Sequence, residues 1–440
     1  MKKAEEGTAG ALKEEEPVRP ARETADELLL EIGTEEIPAR FMPEILEQLK
    51  EKSAALLAEQ YLSWSTMRTM GTPRRLVLHI TGLAAKQGDR EEKKKGPARE
   101  RAFDHEGNPS AAACGFAVKF GLTVDALQLE RTEKGEYLVA VQQIKGAATT
   151  ELLIDLMPQL IKSLSFPKNM YWEKSRFRFA RPLRWLLCLY GDKAVNFECA
   201  GLHAGRETRG HRFLAAGTFV VKDPLHYFSL LPELGVVLDQ DERSRLIKDG
   251  VEEAAVSCGA HAVLDPELLT EVTFLVEQPR ALLCTYPEQY LSLPREVLVT
   301  TMQSHQRYFP LDDGKGKLCP YFVAVSNNPA APTGSVRTGN EKVLKARLAD
   351  ARFFYEEDRR ITLETRVEKL KEILFQEKLG TVYDKMERLV ALTAYLAGCL
   401  PDIDTAEQQA AMRAARLAKG DLATHMVGEF PELQGIMGRE

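Results

Sequence analysis

Between Arg131 and Val323 short β-branched or aliphatic runs alternate with helical patterns, and this alternation constrains the fold more than any other feature. EYLVAVQQI, RWLLCLYG, GTFVV, EVTFLV, ALLCTY and YFVAVS read as strands separated by helices. Such an order predicts a mixed α/β body with several small sheets. The body begins at ELLLEIGTEEIP, where Leu28, Leu29, Leu30 and Ile32 make an apolar strand and Gly33 with Pro38 ends it. FMPEILEQLKEKSAALLAEQYL repeats apolar residues at Ile45, Leu49, Leu56 and Leu57 as an amphipathic helix does, and RRLVLHITGL reads as a buried strand. KQGDREEKKKGPARER, residues 86–101, is polar and predicts a mobile loop, and FDHEGNPSAAACGFAVKFGL a turn followed by a short helix.

The pattern changes after SNNPAAPTGSVRTGN, residues 326–340, whose Asn, Pro, Gly and Ser predict a linker. In EKVLKARLADARFFYEEDRR, Leu344, Leu348, Ala351 and Tyr355 fall on one helical stripe, and further helices are expected through Ala418. The apolar pattern of GEFPELQGIMGRE reaches Leu433, Ile436 and Met437 close to Glu440, so a helical domain is expected to stop short there with those residues uncovered and prone to aggregate. A chain of 440 residues is long for one core. The expected division is a disordered tail over 1–26, a mixed α/β body over 27–330, a linker and helical segment over 331–380, and the start of an all-α domain over 381–440. The fold class is therefore multidomain α+β.

Composition excludes several classes. The seven cysteines are odd in number, dispersed and free of C-x-x-C, against a disulfide framework or zinc ribbon and in favour of a reducing, cytoplasmic setting. No run approaches the roughly 18 apolar residues that span a bilayer, and the acid-rich N-terminus lacks the apolar segment of a secretory signal. There is no G-x-x-x-x-G-K-[ST] loop, no G-x-G-x-x-G after a strand, no G-x-S-x-G and no H-E-x-x-H. A complete active site within this chain is not expected.

Charge points elsewhere. The formal net charge is -6, yet MYWEKSRFRFARPLRW sets Lys174, Arg176, Arg178, Arg181 and Arg184 among five rings against Glu173 alone. On a strand RFRF places both arginines on one face and both phenylalanines on the other. Guanidinium groups grip phosphate in two-pronged fashion and exposed rings stack on unpaired bases, which suits a folded RNA. The competing reading makes the phenylalanines core and pairs the arginines with carboxylates. Arg74 and Arg75 after a Thr-Pro turn offer two cations or surface ion pairs, and Lys93, Lys94 and Lys95 a polyanion-steering run or a solvated surface. Arg206, Arg209, His211 and Arg212 surround Gly205 and Gly210, which let backbone approach a ligand closely or only make a turn. In MQSHQRYFP, Gln303, His305 and Arg307 offer amide, imidazole and guanidinium to base edges or a ribose, or else close a strand with a satisfied histidine.

The order of these blocks is more specific than any one of them. LLLEIGTEEIPARF, GTPRRLVLHI, GNPSAAACGF, FPKNMYWEKSRFRFARPLRW, GHRFL, MQSHQRYF, FVAVSNN, GNEKVLKARLADARFFYEED and KLGTVYDKMERL follow one another from Glu27 onward. In order and spacing the set resembles the β subunit of bacterial glycyl-tRNA synthetase. GDLATHMVGEFPELQGIMG is similar to the start of that subunit's HD-type helical domain, so residues 381–440 are expected to be an incomplete HD-like domain. The first 26 residues have no counterpart in the family pattern.

The resemblance implies a ligase of two α and two β subunits that joins glycine to tRNA(Gly) with ATP. The class II catalytic centre belongs to α, and β binds tRNA and is required for activity. This chain is then expected to bind no cofactor itself, ATP being used by the holoenzyme, and to have the α subunit and tRNA(Gly), but no membrane, as partners. The cationic residues above become candidates for contact with tRNA or α. The anticodon-binding domain would lie beyond Glu440. Asp421 and His425 lie four apart on an expected helix, but the His-Asp pair of an HD site is absent, and no metal is expected. The alternatives are an HD-type metal-dependent phosphohydrolase and a stand-alone RNA-binding protein.

Overall fold

A computed structural model describes residues 26–104, 107–132, 135–172 and 176–440. The expected tail falls outside the described residues up to 25, and Lys174 falls outside them too. Asp26 already belongs to the first strand, β1 (Asp26–Thr34), which leads to a helix at Met42–Glu59 and the hairpin of β2 (Thr66–Thr72) and β3 (Arg75–Leu83). An insertion comes next with β4 (Arg90–Ala98), a helix at Ala111–Lys119, β5 (Gln128–Thr132) and β6 (Gly135–Ile144). Helix Thr149–Ser163 and the small hairpin β7 (Met170–Trp172)–β8 (Phe177–Phe179) return the chain to β9 (Leu183–Tyr190). Short strands β10 (Lys193–Ala194), β11 (Glu198–Cys199), β12 (Leu202–Gly205), β13 (Glu207–Arg209) and β14 (Thr218–Val220) succeed it.

The main sheet runs β11-β12-β9-β1-β3-β2, with β10 on β9. Its pairs are antiparallel except β12 with β9. The unbroken apolar run of β1 is explained by burial on both faces. Leu28, Leu30 and Ile32 pack under the helices Met42–Glu59 and Thr149–Ser163. Leu29 joins Val77, Leu187 and Leu189 on the opposite face, under Tyr227 and Leu231 of the helix Pro224–Glu233. Phe179 is buried in the first of these cores and Phe177 packs against it, whereas Arg178 is exposed, so RFRF alternates as its spacing predicts.

A second sheet joins β15 (His261–Ala262), β17 (Phe309–Asp312), β18 (Leu318–Ser326) and β16 (Arg280–Thr285), in that order. Helices Gln240–Ser257 and Pro266–Thr273 share one core with it. Another core combines Leu282, Phe322, Leu344 and Leu348 with Met426, Phe430, Leu433 and Met437. The two sheets are joined by buried Arg243, which donates to the carbonyls of Gly71, Val237, Leu238 and Thr273. Burial pushes its pKa down to about 10. Beyond the helix Thr333–Asp358 come β19 (Leu374–Gln376), β20 (Gly380–Thr381) and the helices Val382–Cys399 and Thr405–Leu417.

Several expectations need correction. EVTFLV is not a strand: the helix Pro266–Thr273 runs into it, because Asp265 caps the N–H groups of Glu267 and Leu268 and Pro266 occupies the first turn. KQGDREEKKKGPARER is not a loop, since residues 90–98 form edge strand β4 on β6. Lysines on such an edge discourage pairing with other chains. The linker reading of 326–340 fails from Thr333 onward, where a helix begins behind Pro332. That helix is anchored by the bonds Arg280 Nη2 to Thr333 and the Thr285 N–H to Glu341. Leu433 and Met437 are buried rather than uncovered, packed beside Val297 and Leu298.

Candidate nucleic-acid interface

Several of the cationic residues, Arg74, Arg75, Arg209 and Arg212 among them, converge at one end of the main sheet. Gly33 on β1 is paired with Arg75 on β3 and with Trp185 on β9. Residues paired directly across strands share a face, so Arg75, Gly33 and Trp185 form one row. Gly33 is therefore more than punctuation. A Cβ built on it would fall 1.9 Å from the Trp185 ring, so only glycine lets the indole lie across β1. The ring gathers three guanidinium groups, those of Arg209, Arg75 and Arg74, with Cζ atoms 5.2, 5.5 and 5.8 Å from its centroid.

Beneath this row lies a buried ionic network. Arg75 Nη1 donates to Glu31 Oε1 at 2.9 Å and its Nε to Glu277 Oε1 at 3.0 Å, all three side chains being essentially inaccessible. Thr208 donates to Glu31 and Thr72 to Glu277, each at 2.7 Å, and the carbonyl of Arg209 accepts from Arg75 at 2.9 Å. Burial opposes the Arg75 charge, but Glu277 and Glu31 outweigh it and raise its pKa above the ordinary value. Burial likewise opposes ionisation of Glu277, and Arg75, the Thr72 bond, Arg74 and His211 overcome it and hold its pKa below the ordinary value. Asn327 Oδ1 accepts from the backbone N–H groups of Glu277 and Gln278 and lies 3.2 Å from His211 Nε2, which ties the second sheet to this end of the first. Arg75 and His211 are thus interior residues that support the surface and do not form it.

At the surface, Glu35 and Glu36 organise the arginines. Arg184 and Arg212 both pair with Glu35 at 3.1 Å, Arg212 also pairs with Glu36 at 3.1 Å, and Arg181 donates to the Glu36 carbonyl at 3.0 Å. Arg206 is held by the carbonyls of Asp192 and Val221. Arg74 is half-buried, and its pKa is lowered by burial and by Arg212 and Arg75, against the opposing pull of Glu277 and Glu35.

Other candidates lie elsewhere in the fold. Arg178 is exposed on the β7–β8 hairpin over Tyr171, at 5.4 Å, and Arg176 occupies its turn with φ 53°. Lys93 pairs with Glu130 at 3.3 Å, Lys94 with Glu92, and Lys95 lies 3.5 Å over Tyr137, so the lysine run is met by its own sheet. Gln303 and His305 lie in a helical turn, Thr301–His305, with His305 stacked on Phe430 at 5.0 Å, and Arg307 pairs with Glu271 at 2.8 Å. That block closes a helix, not a strand. Asp421 is buried and accepts the Gly435 N–H, while His425 stacks on Phe354 at 6.2 Å. Among the described residues no group of three or more His, Cys, Asp or Glu could hold a metal ion, and no helix is long and apolar enough to cross a membrane.

Spacing arguments missed Glu31, Gly33, Glu35, Glu277 and Asn327. The one signal in the sequence was Glu31 itself, an acid inside the apolar run LLLEIG, where an unpaired charge would be costly.

In class, this is a cation-rich surface carried on an α+β scaffold. The chain belongs to the glycyl-tRNA synthetase beta subunit family, whose model matches residues 28–440. Similar proteins include the glycine–tRNA ligase beta subunits of Desulforudis audaxviator, 49% identical over 416 residues, and Trichlorobacter lovleyi, 47% identical over 414. That of Clostridioides difficile is 45% identical over 413 residues. Each match covers 94% of this chain and 60% of the relative, so the chain spans about 60% of the length of the curated relatives it matches.

Proposed function

We propose that this chain is the tRNA-handling and assembly portion of the β subunit of a glycine–tRNA ligase, supporting ATP-dependent glycylation performed on an α subunit. The observation that carries this reading is the family match across residues 28–440. The cation-rich surface around Trp185 supports it by giving an acidic chain a face on which a polyanion is welcome. In this reading the assembly contains two α and two β subunits, works in the cytoplasm and binds tRNA(Gly). ATP is used at the α centre, and this chain holds no cofactor. The helices of 381–440 are the beginning of an HD-like domain. The test is reconstitution. The natural full-length protein containing this chain is mixed with its α partner, and glycine transfer to tRNA(Gly) is measured. Activity well above that of α alone is expected, and no gain from a folded protein refutes the proposal.

A further inference from the structure

Three arginines at the Trp185 end of the sheet are matched by carboxylates, Arg75 by Glu31 and Glu277, Arg184 by Glu35, and Arg212 by Glu35 and Glu36, while Arg181 and Arg206 are held by backbone carbonyls. Arg74 and Arg209 are different. Both are half-buried and both lie against the indole, yet among the described residues neither guanidinium has a carboxylate within ion-pair distance. Stacking on a flat ring fixes a guanidinium plane and leaves its N–H edge free for a two-pronged contact. Buried polar atoms at this end that lack partners include Nε of Arg74, Nη2 of Arg75, Nε1 of Trp185, Oγ1 of Thr34 and Oε2 of Glu277. Thr34 is tied to the site through its N–H, which donates to the Arg74 carbonyl at 2.8 Å. Phe213 is 58% exposed and follows Arg212, whose charge is felt by Arg74. Two half-buried guanidinium groups without a carboxylate, with an exposed ring close by in sequence, match a nucleic-acid strand, which brings phosphate and a stackable base together.

We propose that the Arg74 and Arg209 guanidinium groups on Trp185 form a seat for a phosphodiester of the RNA backbone, with Phe213 as the stacking surface for an adjacent unpaired base. The proposal rests on the tRNA-handling reading above and names the atoms that carry it.

The test uses the natural full-length protein and measures its affinity for a tRNA(Gly) transcript between roughly 50 and 200 mM salt, where phosphate contacts dominate the salt dependence. Arg74→Gln with Arg209→Gln should weaken binding about tenfold or more. The log–log salt slope should become shallower by roughly 1.5, at about 0.7–0.9 per lost contact. Phe213→Ala should weaken binding by roughly tenfold with the slope unchanged, because stacking releases no counterions. Arg245→Gln, at an exposed arginine paired with Asp249 at 3.0 Å, serves as the control and should leave affinity and slope unchanged. Should the glutamine variant misfold, Arg74→Lys with Arg209→Lys keeps the charge and loses the fork. It should keep the slope and lose affinity, and wild-type affinity there overturns the proposal. If the wild type binds no tRNA, the functional reading itself fails. If the wild type binds and the glutamine variant matches it in affinity and slope, the phosphate seat is refuted while the functional reading stands. Loss of α-subunit association with tRNA binding intact assigns the seat to a protein carboxylate and equally refutes it.

Discussion

Replacing Arg75 by methionine tests the physical core of this structure. The substitution roughly preserves volume but removes three donated hydrogen bonds, to Glu31, Glu277 and the Arg209 carbonyl. Two carboxylates are then left buried without an ion-pair partner, with only the Thr208 bond on Glu31 and the Thr72 bond and the more distant Arg74 and His211 charges on Glu277 to offset them. Breaking a buried ion pair from one side typically costs about 3–5 kcal/mol, and both carboxylates lose the same partner here, so the upper half of that range is expected at pH 7. The pH dependence gives the sharper check. In the wild type Glu277 is held below its ordinary pKa. Its stabilisation is therefore complete above the ordinary carboxylate range and is lost as pH falls through the lower, folded-state pKa. In the variant, burial acts on Glu277 without Arg75, and its folded-state pKa moves above the unfolded one. The penalty is then full near pH 8 and is relieved by protonation as pH falls toward about 4–5. The gap between wild type and variant should narrow on acidification from both sides. Urea unfolding of the natural protein, followed by near-UV circular dichroism at several pH values, reads it directly. A deficit under about 1 kcal/mol at pH 7, or one constant from pH 8 to 5, would refute the reasoning.

Three further substitutions probe other parts. Gly33→Ala drives a methyl group into the Trp185 ring and should cost about 1–3 kcal/mol or more, with a changed tryptophan environment in fluorescence; an unchanged spectrum and melting curve would contradict the packing. Leu433→Ala empties a fully buried site between the second sheet and the C-terminal turns and should destabilise by about 2–5 kcal/mol in denaturant titration. Changing Lys93, Lys94 and Lys95 together to glutamine removes surface pairs worth at most about 1 kcal/mol each. It should leave tRNA affinity within about twofold, as filter binding would show, because these cations are engaged within their own sheet.

The elements legible in the sequence are those with a strong apolar period. β1, β3, β9 and the helix Met42–Glu59 are written in apolar spacing, and the alternation of RFRF gave the correct faces of β8. The failures came where tertiary contacts overrule local composition. β4 is charged nearly throughout and is a strand because β6 offers it a backbone ladder. Residues 333–340 look like a linker and are helical because β16 binds the side chains of Thr333 and Glu341. The convergence of Gly33, Arg74, Arg75, Trp185 and Arg209 was not visible, since it depends on strand order β9-β1-β3 and its register, neither of which spacing encodes.

The network and the surface above it are one electrostatic construction. Like charges gathered around one ring repel, so several arginines around one indole would not assemble unaided. Glu31 on β1 and Glu277, just ahead of β16, supply the opposing charge from buried positions, and they pair with Arg75 rather than with Arg74 or Arg209. Had those carboxylates been placed at the surface they would have closed the site on itself, as Glu35 and Glu36 do for Arg184 and Arg212. Burying the counter-charge under the cations keeps the arrangement stable and lets a chain that is acidic overall carry one locally cationic face.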